Sequence, residues 1–376
     1  MTTLLPMLIL LPAASGLGLL LFRSDPRQSV RLASYAAGLT LILSLMLATR
    51  FHDLSSDAAG TIQPRLAWTT GPIAVPIVAT PAPTIRLELG LDGPGIGMIL
   101  LTSAVVLAIL LLVPRQISHR STDFVSMLLL TEAALLGAFL SMDVLLFYIF
   151  FELTLLPILV LMIGWGTDQA QPAAIKFFLF TLAGSLPMLA GLVALVILSA
   201  PNPSALTISL PELAVRMSSP SGDIMVSPLS HDATTQNWIF WLILLGLGIK
   251  MAILPLHTWL PTTYLASHPL VTALLAAVVL KLGVFGMLRL LLPLLPMACQ
   301  DFSLFWGPAL GAVAIVYGSL IALAQRDIRL LLAYGSLGHV GFITIGLFSL
   351  ESEGIAGATL QMVNHGITTA ALFLML

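Results

Sequence analysis

Residues 93–113 pass without one charged side chain, and stretches like this recur along the whole chain. A helix needs about 20 apolar residues to cross the hydrocarbon core of a bilayer, at about 1.5 Å per residue. Lipid offers the backbone no hydrogen bonds, so such runs must fold as helices that satisfy themselves. On that ruler eleven spans are expected, near 2–22, 31–49, 92–113, 122–140, 143–165, 173–199, 237–260, 269–292, 303–324, 328–349 and 354–376. The composition agrees: 58% of residues are hydrophobic, 9% are charged, and the mean hydropathy is +1.05. Soluble domains carry about 25% charged residues, so this chain could not solvate a globule of its size. The expected fold class is all-α, a polytopic transmembrane helix bundle.

Several function classes fall away at once. A net charge of -2 leaves no basic patch to neutralise phosphates, which argues against a nucleic-acid partner. Cys299 is the only cysteine, so neither a disulfide framework nor an iron–sulfur cluster can be built within this chain. The apolar start lacks a basic leader and is long enough to span, so it reads as the first membrane helix rather than a cleaved signal.

Two long connections, 50–91 and 200–236, are rich in proline, threonine or serine and are expected to be surface loops. With eleven crossings they fall on the side of the N-terminus. The short loops opposite carry Arg23, Arg27, Arg31, Arg115, Arg120, Lys176, Arg326 and Arg329. The positive-inside rule makes that opposite side the negative one, cytoplasm or matrix.

Six ionisable residues lie far from any span end. Glu132 and Glu152 are each nine residues past an aspartate, Asp123 and Asp143, hence about 14 Å deep. Lys250 is thirteen residues past Asn237, Lys281 twelve past Pro269, His339 ten past Arg329 and His365 twelve past Glu353, hence about 15–20 Å deep. The midplane lies about 15 Å from either face, so all six gather near it. A charge there costs about 2.5–3.5 kcal/mol even on lenient insertion scales. A shared depth points to a hydrated polar line along the membrane, a proton or ion pathway. Each member also has a plain structural account. Glu152 and Lys250 would serve as a buried ion pair, and Lys281 would borrow a backbone carbonyl. Either histidine would be a satisfied core hydrogen-bonder, and Glu132 a neutral, hydrogen-bonded acid beside Thr131.

Pro255 follows Lys250 by five residues. It cannot donate to the carbonyl of Met251, and its ring presses on that turn. A broken helix is tolerable in a membrane only when buried in protein or lining a wet cavity. The break is therefore expected near Pro255, with Lys250 just before it and His257 just after, on one face if the helix continues.

The stretches "LLFYIFFELTLLPI", "IKMAILPLHTWLP", "LLAAVVLKLGVFGMLRL", "AQRDIRLLLAYGSLGHVGF" and "MVNHGITTAALF" together resemble the antiporter-like membrane subunits of respiratory complex I, of the subunit 4 type. The resemblance runs from about residue 92 to the end. More distant relatives are subunits of multi-subunit sodium/proton antiporters. "LKLGVFGMLR" sets the chain apart from the subunit 5 type, which has a histidine motif in that helix. The resemblance implies a proton-translocating subunit without its own redox centre, with Glu152, Lys250, Lys281, His339 and His365 as relay residues. NADH, FMN, iron–sulfur clusters and ubiquinone are then expected in partner subunits, in the mitochondrial inner membrane or, alternatively, a bacterial inner membrane. "GPGIGM" at 93–98 lacks dinucleotide-binding spacing and opens a span.

The implied division is 1–121 for the N-terminal helices, 122–292 for a first antiporter-like repeat, and 293–376 for the first part of a second, inverted one. The family has about fourteen spans. The last three, including a second broken helix, are expected to be missing or supplied by another chain. After "WLP" the family usually carries a histidine and a glutamate, where this chain has Tyr264 and Ala266, followed by a shifted proline in "SHPL". Lysine suits a relay because its pKa shifts on burial while arginine stays charged. The alternatives are a subunit of a standalone cation/proton antiporter, which would exchange cations without NADH oxidation, and a structural scaffold with a dry interior around Lys281.

Overall fold

The computed structural model describes residues 3–22, 25–53, 66–70, 73–74, 84–218 and 227–376. Arg23, much of the 50–91 loop and residues 219–226 lie outside the described residues. The helices are α1 (Leu4–Leu21), α2 (Pro26–Asp53), α3 (Gly93–Gln116), α4 (Ser121–Leu140), α5 (Val144–Leu153), α6 (Leu155–Trp165), α7 (Ala170–Leu198) and α8 (Leu210–Ser218). After these come α9 (Ala233–Lys250), α10 (Trp259–Ala266), α11 (Pro269–Leu274), α12 (Leu280–Gly286), α13 (Leu292–Leu294), α14 (Pro296–Leu304), α15 (Trp306–Leu323), α16 (Ile328–Phe348) and α17 (Ser352–Met375).

Nine described helices are long and apolar enough to span: α1, α2, α3, α4, α5 with α6, α7, Pro269–Leu294, α15 and α16. The other two expected spans are also helical, as α9 and α17, but they are more polar. Thr234, Thr235, Gln236 and Asn237 open α9, and Gln361, Asn364 and His365 sit inside α17. An 18-residue stretch of the Pro269–Leu294 span is entirely buried, and 83% of such a stretch in α4 is. These two form the centre, and the other spans wrap them with one face toward lipid. Leu10, Tyr35, Leu111, Trp238 and Leu320 are among the large apolar side chains left facing outward.

Helix starts follow from local chemistry. Asp92 accepts from Gly95 N (2.7 Å), Asp143 from Leu146 N (2.7 Å) and Asp232 from Thr235 N (3.0 Å), each satisfying an orphan donor at a helix N-terminus. The shifted proline of "SHPL" is explained in the same way. Pro269 takes the first helical position and His268 Nδ1 accepts from Leu270 N (3.2 Å). Burial first, and then the charges of Arg329 and His119, hold the His268 imidazole below its ordinary range, which keeps Nδ1 free to accept.

The two long connections are not bare loops. β1 (Leu66–Thr69) pairs antiparallel with β4 (Glu88–Leu91), and β2 (Ile73–Ala74) with β3 (Thr84–Ile85). Single bridges join Leu89 to Ser141 and Asp143 to Ser209, and Glu88 accepts from Ser209 Oγ (2.7 Å). The sequence reading missed these elements because strands this short carry too little alternation to read.

Beside these bridges, buried Arg289 forms a clasp. Its Nη1 donates to the carbonyls of Phe139 (2.8 Å) and Ser141 (2.7 Å) at the end of α4, and its Nη2 pairs with Asp92 (2.6 Å) at the start of α3. The guanidinium also lies over the Phe285 ring at 4.3 Å. Removing one partner of a buried pair leaves the other charge uncompensated. Arg289→Ala should therefore cost roughly 3–5 kcal/mol, read as a lower melting temperature in detergent and less protein in the membrane.

Candidate functional site

α9 ends at Lys250, five residues before Pro255, so the break precedes the proline rather than coinciding with it. Ala252 takes a left-handed conformation (φ 60°), Ala252 N donates to Ile249 O (3.1 Å) and Ile253 N donates to Gly248 O (2.9 Å). This is a Schellman turn, which uses carbonyls that a helix end leaves orphaned. The Leu254–Pro255 peptide is cis, and helix resumes at Trp259. The Trp259 indole N–H donates back across the gap to Ile249 O (2.8 Å). Because the helix stops, the seven-residue spacing does not put His257 on Lys250's face. His257 is buried edge-on against Tyr317 of α15, with ring centres 5.3 Å apart, and its Nδ1 has no hydrogen-bond partner.

Lys250 is 1% exposed. Its Nζ donates to Thr154 Oγ1 (2.9 Å), reaches the Phe151 carbonyl at 3.5 Å, and sits over the Phe151 ring at 4.6 Å. Thr154 is the single residue between α5 and α6. Glu152, two residues earlier, interacts electrostatically with Lys250, yet the two form no ion pair within 4.0 Å. Glu152 is half-buried, lies beside Ser185 of α7, and its Oε1 is buried without a partner. A fixed salt bridge is therefore not what holds these residues. The ammonium rests on a hydroxyl and an aromatic face while its carboxylate neighbour stands apart.

One spacing recurs at two prolines. "ELTLLP" puts Pro157 five residues after Glu152, as "KMAILP" puts Pro255 five after Lys250. Only α9 is broken there, at Lys250; at Thr154 the backbone stays helical (φ -63°, ψ -25°), so α5 and α6 form one span. Thr154 as the Lys250 partner was missed by sequence reasoning, because the two lie far apart along the chain.

Lys281, 1% exposed, lies in the central span between two π-helical turns, Leu275–Val279 and Met287–Leu291. Such turns often mark functional sites in helices. Its Nζ donates to the Ala276 carbonyl of its own helix, in the first π turn. The expected carbonyl borrowing is thus real, but it does not isolate the lysine, which acts electrostatically on both His339 and His365.

His365 is buried and its ring lies 4.8 Å from that of His339. Ser336 Oγ donates its one hydrogen to Leu332 O (2.8 Å), so at 3.2 Å it accepts from His365 Nε2–H. His365 Nδ1 is then a bare lone pair, buried without a partner. Gln361 Nε2 donates to His339 Nδ1 (2.9 Å). His339 is exposed on the chain's surface, which corrects the expectation of a buried residue at that position. Tyr264, in the place of the family's histidine, is fully buried against Phe373, with ring centres 5.4 Å apart.

No hydrogen bond or ion pair among the described residues joins Lys250 to Lys281. Packing brings their helices together instead. A Cβ on Gly283 would stand 2.5 Å from the Leu247 carbonyl and 2.7 Å from Met251 N, so only glycine lets α12 press its backbone onto the end of α9. Among the described residues, no three His, Cys, Asp or Glu gather as a metal site.

These features define a class, a membrane helix bundle with an interrupted span at its centre and a midplane line of acid, lysine and histidine. The family model described as NADH:quinone oxidoreductase/Mrp antiporter, transmembrane, matches residues 141–376, and the chain belongs to that family. The NADH-quinone oxidoreductase subunit M of Rickettsia prowazekii is 35% identical over 371 residues, covering 97% of this chain and 69% of the relative. A chain of respiratory complex I from Thermus thermophilus with bound NADH superposes with a TM-score of 0.78 at 31% identity, covering 98% of this chain and 70% of that one. The Mrp complex from Dietzia sp. DQ12-45-1b shares the fold alone, with a TM-score of 0.77 at 22% identity over 99% of this chain and 63% of that one.

Gly283→Ala should separate α12 from the break at a cost of about 1–3 kcal/mol. Thermal denaturation in detergent would read this as a lowered melting temperature, while Gly164→Ala, in open space on α6, should leave the melting temperature nearly unchanged.

Proposed function

We propose that the chain is a proton-translocating membrane-arm subunit of an NADH:quinone oxidoreductase, moving protons through Glu152, Lys250, Lys281, His365 and His339. The observation that carries this is Lys250. It is a buried lysine at the end of an interrupted midplane helix, held by a hydroxyl and a ring, with a carboxyl group close by but not bonded to it. Low dielectric favours the neutral amine, and an approaching carboxylate favours the ammonium. When Glu152 closes on Lys250, the lysine holds a proton. When Glu152 withdraws, the proton is released toward Lys281, whose helix packs against the break at Gly283. These groups titrate together, so no single pKa belongs to one of them. His365 then accepts at its bare Nδ1, and the adjacent His339 carries the line to the chain's surface.

The driving chemistry, NADH oxidation and quinone reduction with FMN and iron–sulfur clusters, is assigned to partner subunits of the same complex. The higher identity to complex I relatives than to the Mrp neighbour favours this over a standalone cation/proton antiporter. The membrane is an energy-coupling one, mitochondrial inner or bacterial inner, and the Rickettsia and Thermus relatives favour the bacterial one.

In membrane vesicles carrying the assembled complex, Lys250→Ala and Lys281→Ala should each lower NADH-driven proton pumping while leaving assembly intact. Wild-type pumping in both variants would sink the relay. Cation exchange across the vesicles with no NADH oxidation would transfer the function to the antiporter reading.

A further inference from the structure

We propose that Glu132 is a further proton-holding residue and the carboxyl partner of Lys281, standing to it as Glu152 stands to Lys250. The proposal rests on the proton-translocating function above. Glu132 lies in α4 with no exposed surface, and neither of its carboxyl oxygens has a hydrogen-bond partner. The neighbouring hydroxyl does not serve it, because Thr131 Oγ1 donates to the Met127 carbonyl (2.8 Å). The plain structural account of Glu132, a hydrogen-bonded acid beside Thr131, is therefore not what the fold contains. Buried polar groups are rarely left unpaired, and those that are call for an explanation by proton, water or function.

The register of two helices says where this carboxyl points. Glu132 and Phe139 are seven residues apart and share one face of α4. Phe139 meets Phe285 of α12 edge-on, with ring centres 5.0 Å apart. Lys281 and Phe285 are four residues apart and share one face of α12. Arg289, four further on, continues that face and donates to the Phe139 carbonyl. As the fourth and eighth spans, α4 and Pro269–Leu294 run in the same direction. Back from the Phe139–Phe285 contact, Glu132 lies ~10 Å along α4 and Lys281 ~6 Å along α12. The axial offset is thus ~4 Å across helices packed ~8–10 Å apart. The α1 side of α4 is a different face, where Gly16 packs on Leu129 and Leu130.

Glu132 and Lys281 therefore look into one interface, each lacking a partner on another helix. Lys281 holds only a carbonyl of its own helix, and Glu132 holds nothing. The step is a proton exchange through a bridging water. The O–H bond of the Glu132 acid breaks, an N–H bond forms on the neutral Lys281 amine, and carboxylate faces ammonium. The reverse transfer restores acid and amine. Each buried lysine of the line then has one carboxyl group able to switch it.

The test uses the assembled complex in proteoliposomes with Glu132→Gln, Glu132→Leu and Lys281→Ala. Protons pumped per NADH oxidised are measured, and infrared difference spectra follow the C=O stretch of protonated carboxyl groups. Pumping in both Glu132 variants should fall to the Lys281→Ala level. One carboxyl band should vanish in Glu132→Gln and shift in Lys281→Ala, which a merely structural acid would not do. Glu132→Leu fills the site with an apolar side chain of similar size and keeps the test open should the glutamine variant fail to assemble. Wild-type pumping in a Glu132 variant alongside impaired Lys281→Ala overturns this proposal and leaves the relay standing. A band unmoved by Lys281→Ala overturns the pairing. Wild-type pumping in Lys281→Ala and Lys250→Ala together overturns the relay itself.

Discussion

The structure depends on how a helix can be stopped in the middle of a membrane. A helix end leaves up to four carbonyls without partners, and hydrocarbon offers none. α9 meets this cost with its own chain. The Schellman turn at Ala252 uses the Gly248 and Ile249 carbonyls, and the Trp259 indole adds a second donor to Ile249. Gly283 then lets the central span press against the same turn, so Lys250, Met251 and Ala252 are buried in protein, while Pro255 and Thr258 reach the chain's surface. Lys250 is the last residue of that helix, and its position follows from where the helix is allowed to end.

From this point the site builds outward through matched local devices. Glu152 and Lys250 each precede a proline by five residues, but only Lys250 ends its helix, while the span of Glu152 continues through Thr154. Lys281 lies instead in a continuous span loosened by π turns on either side. Interrupting a helix beside an ionisable group frees local carbonyls and hydroxyls to hold it. Thr154 does this for Lys250, and Ala276 does it for Lys281. None of these contacts is a tight salt bridge, so none fixes a charge state. That separates this line from the Arg289–Asp92 clasp, whose paired geometry ties α3, α4 and the central span together.

Much of this was legible in the sequence because apolar length is a one-dimensional quantity. The helices and their approximate limits follow from counting along the chain. Side-chain direction is less accessible. The break was expected at Pro255, but the turn that makes it sits at Ala252, where an alanine takes a conformation usually left to glycine. His339 faces outward, because depth does not specify which side of a helix meets the core. One account of Glu132 was an acid hydrogen-bonded to the threonine beside it, but that threonine turns to its own backbone instead. The hairpins of 66–91 and the Thr154 contact depend on partners far along the chain, which no local pattern announces.

The central claim is that the midplane around the α9 break is wet enough to carry protons, and hydrogen–deuterium exchange on the complex in lipid tests it most directly. Amides of Leu254 and residues 256–258 should exchange well before those of α9 and the central span. Protection of these amides as complete as that of α9 would contradict a hydrated break and, with it, a proton path through Lys250.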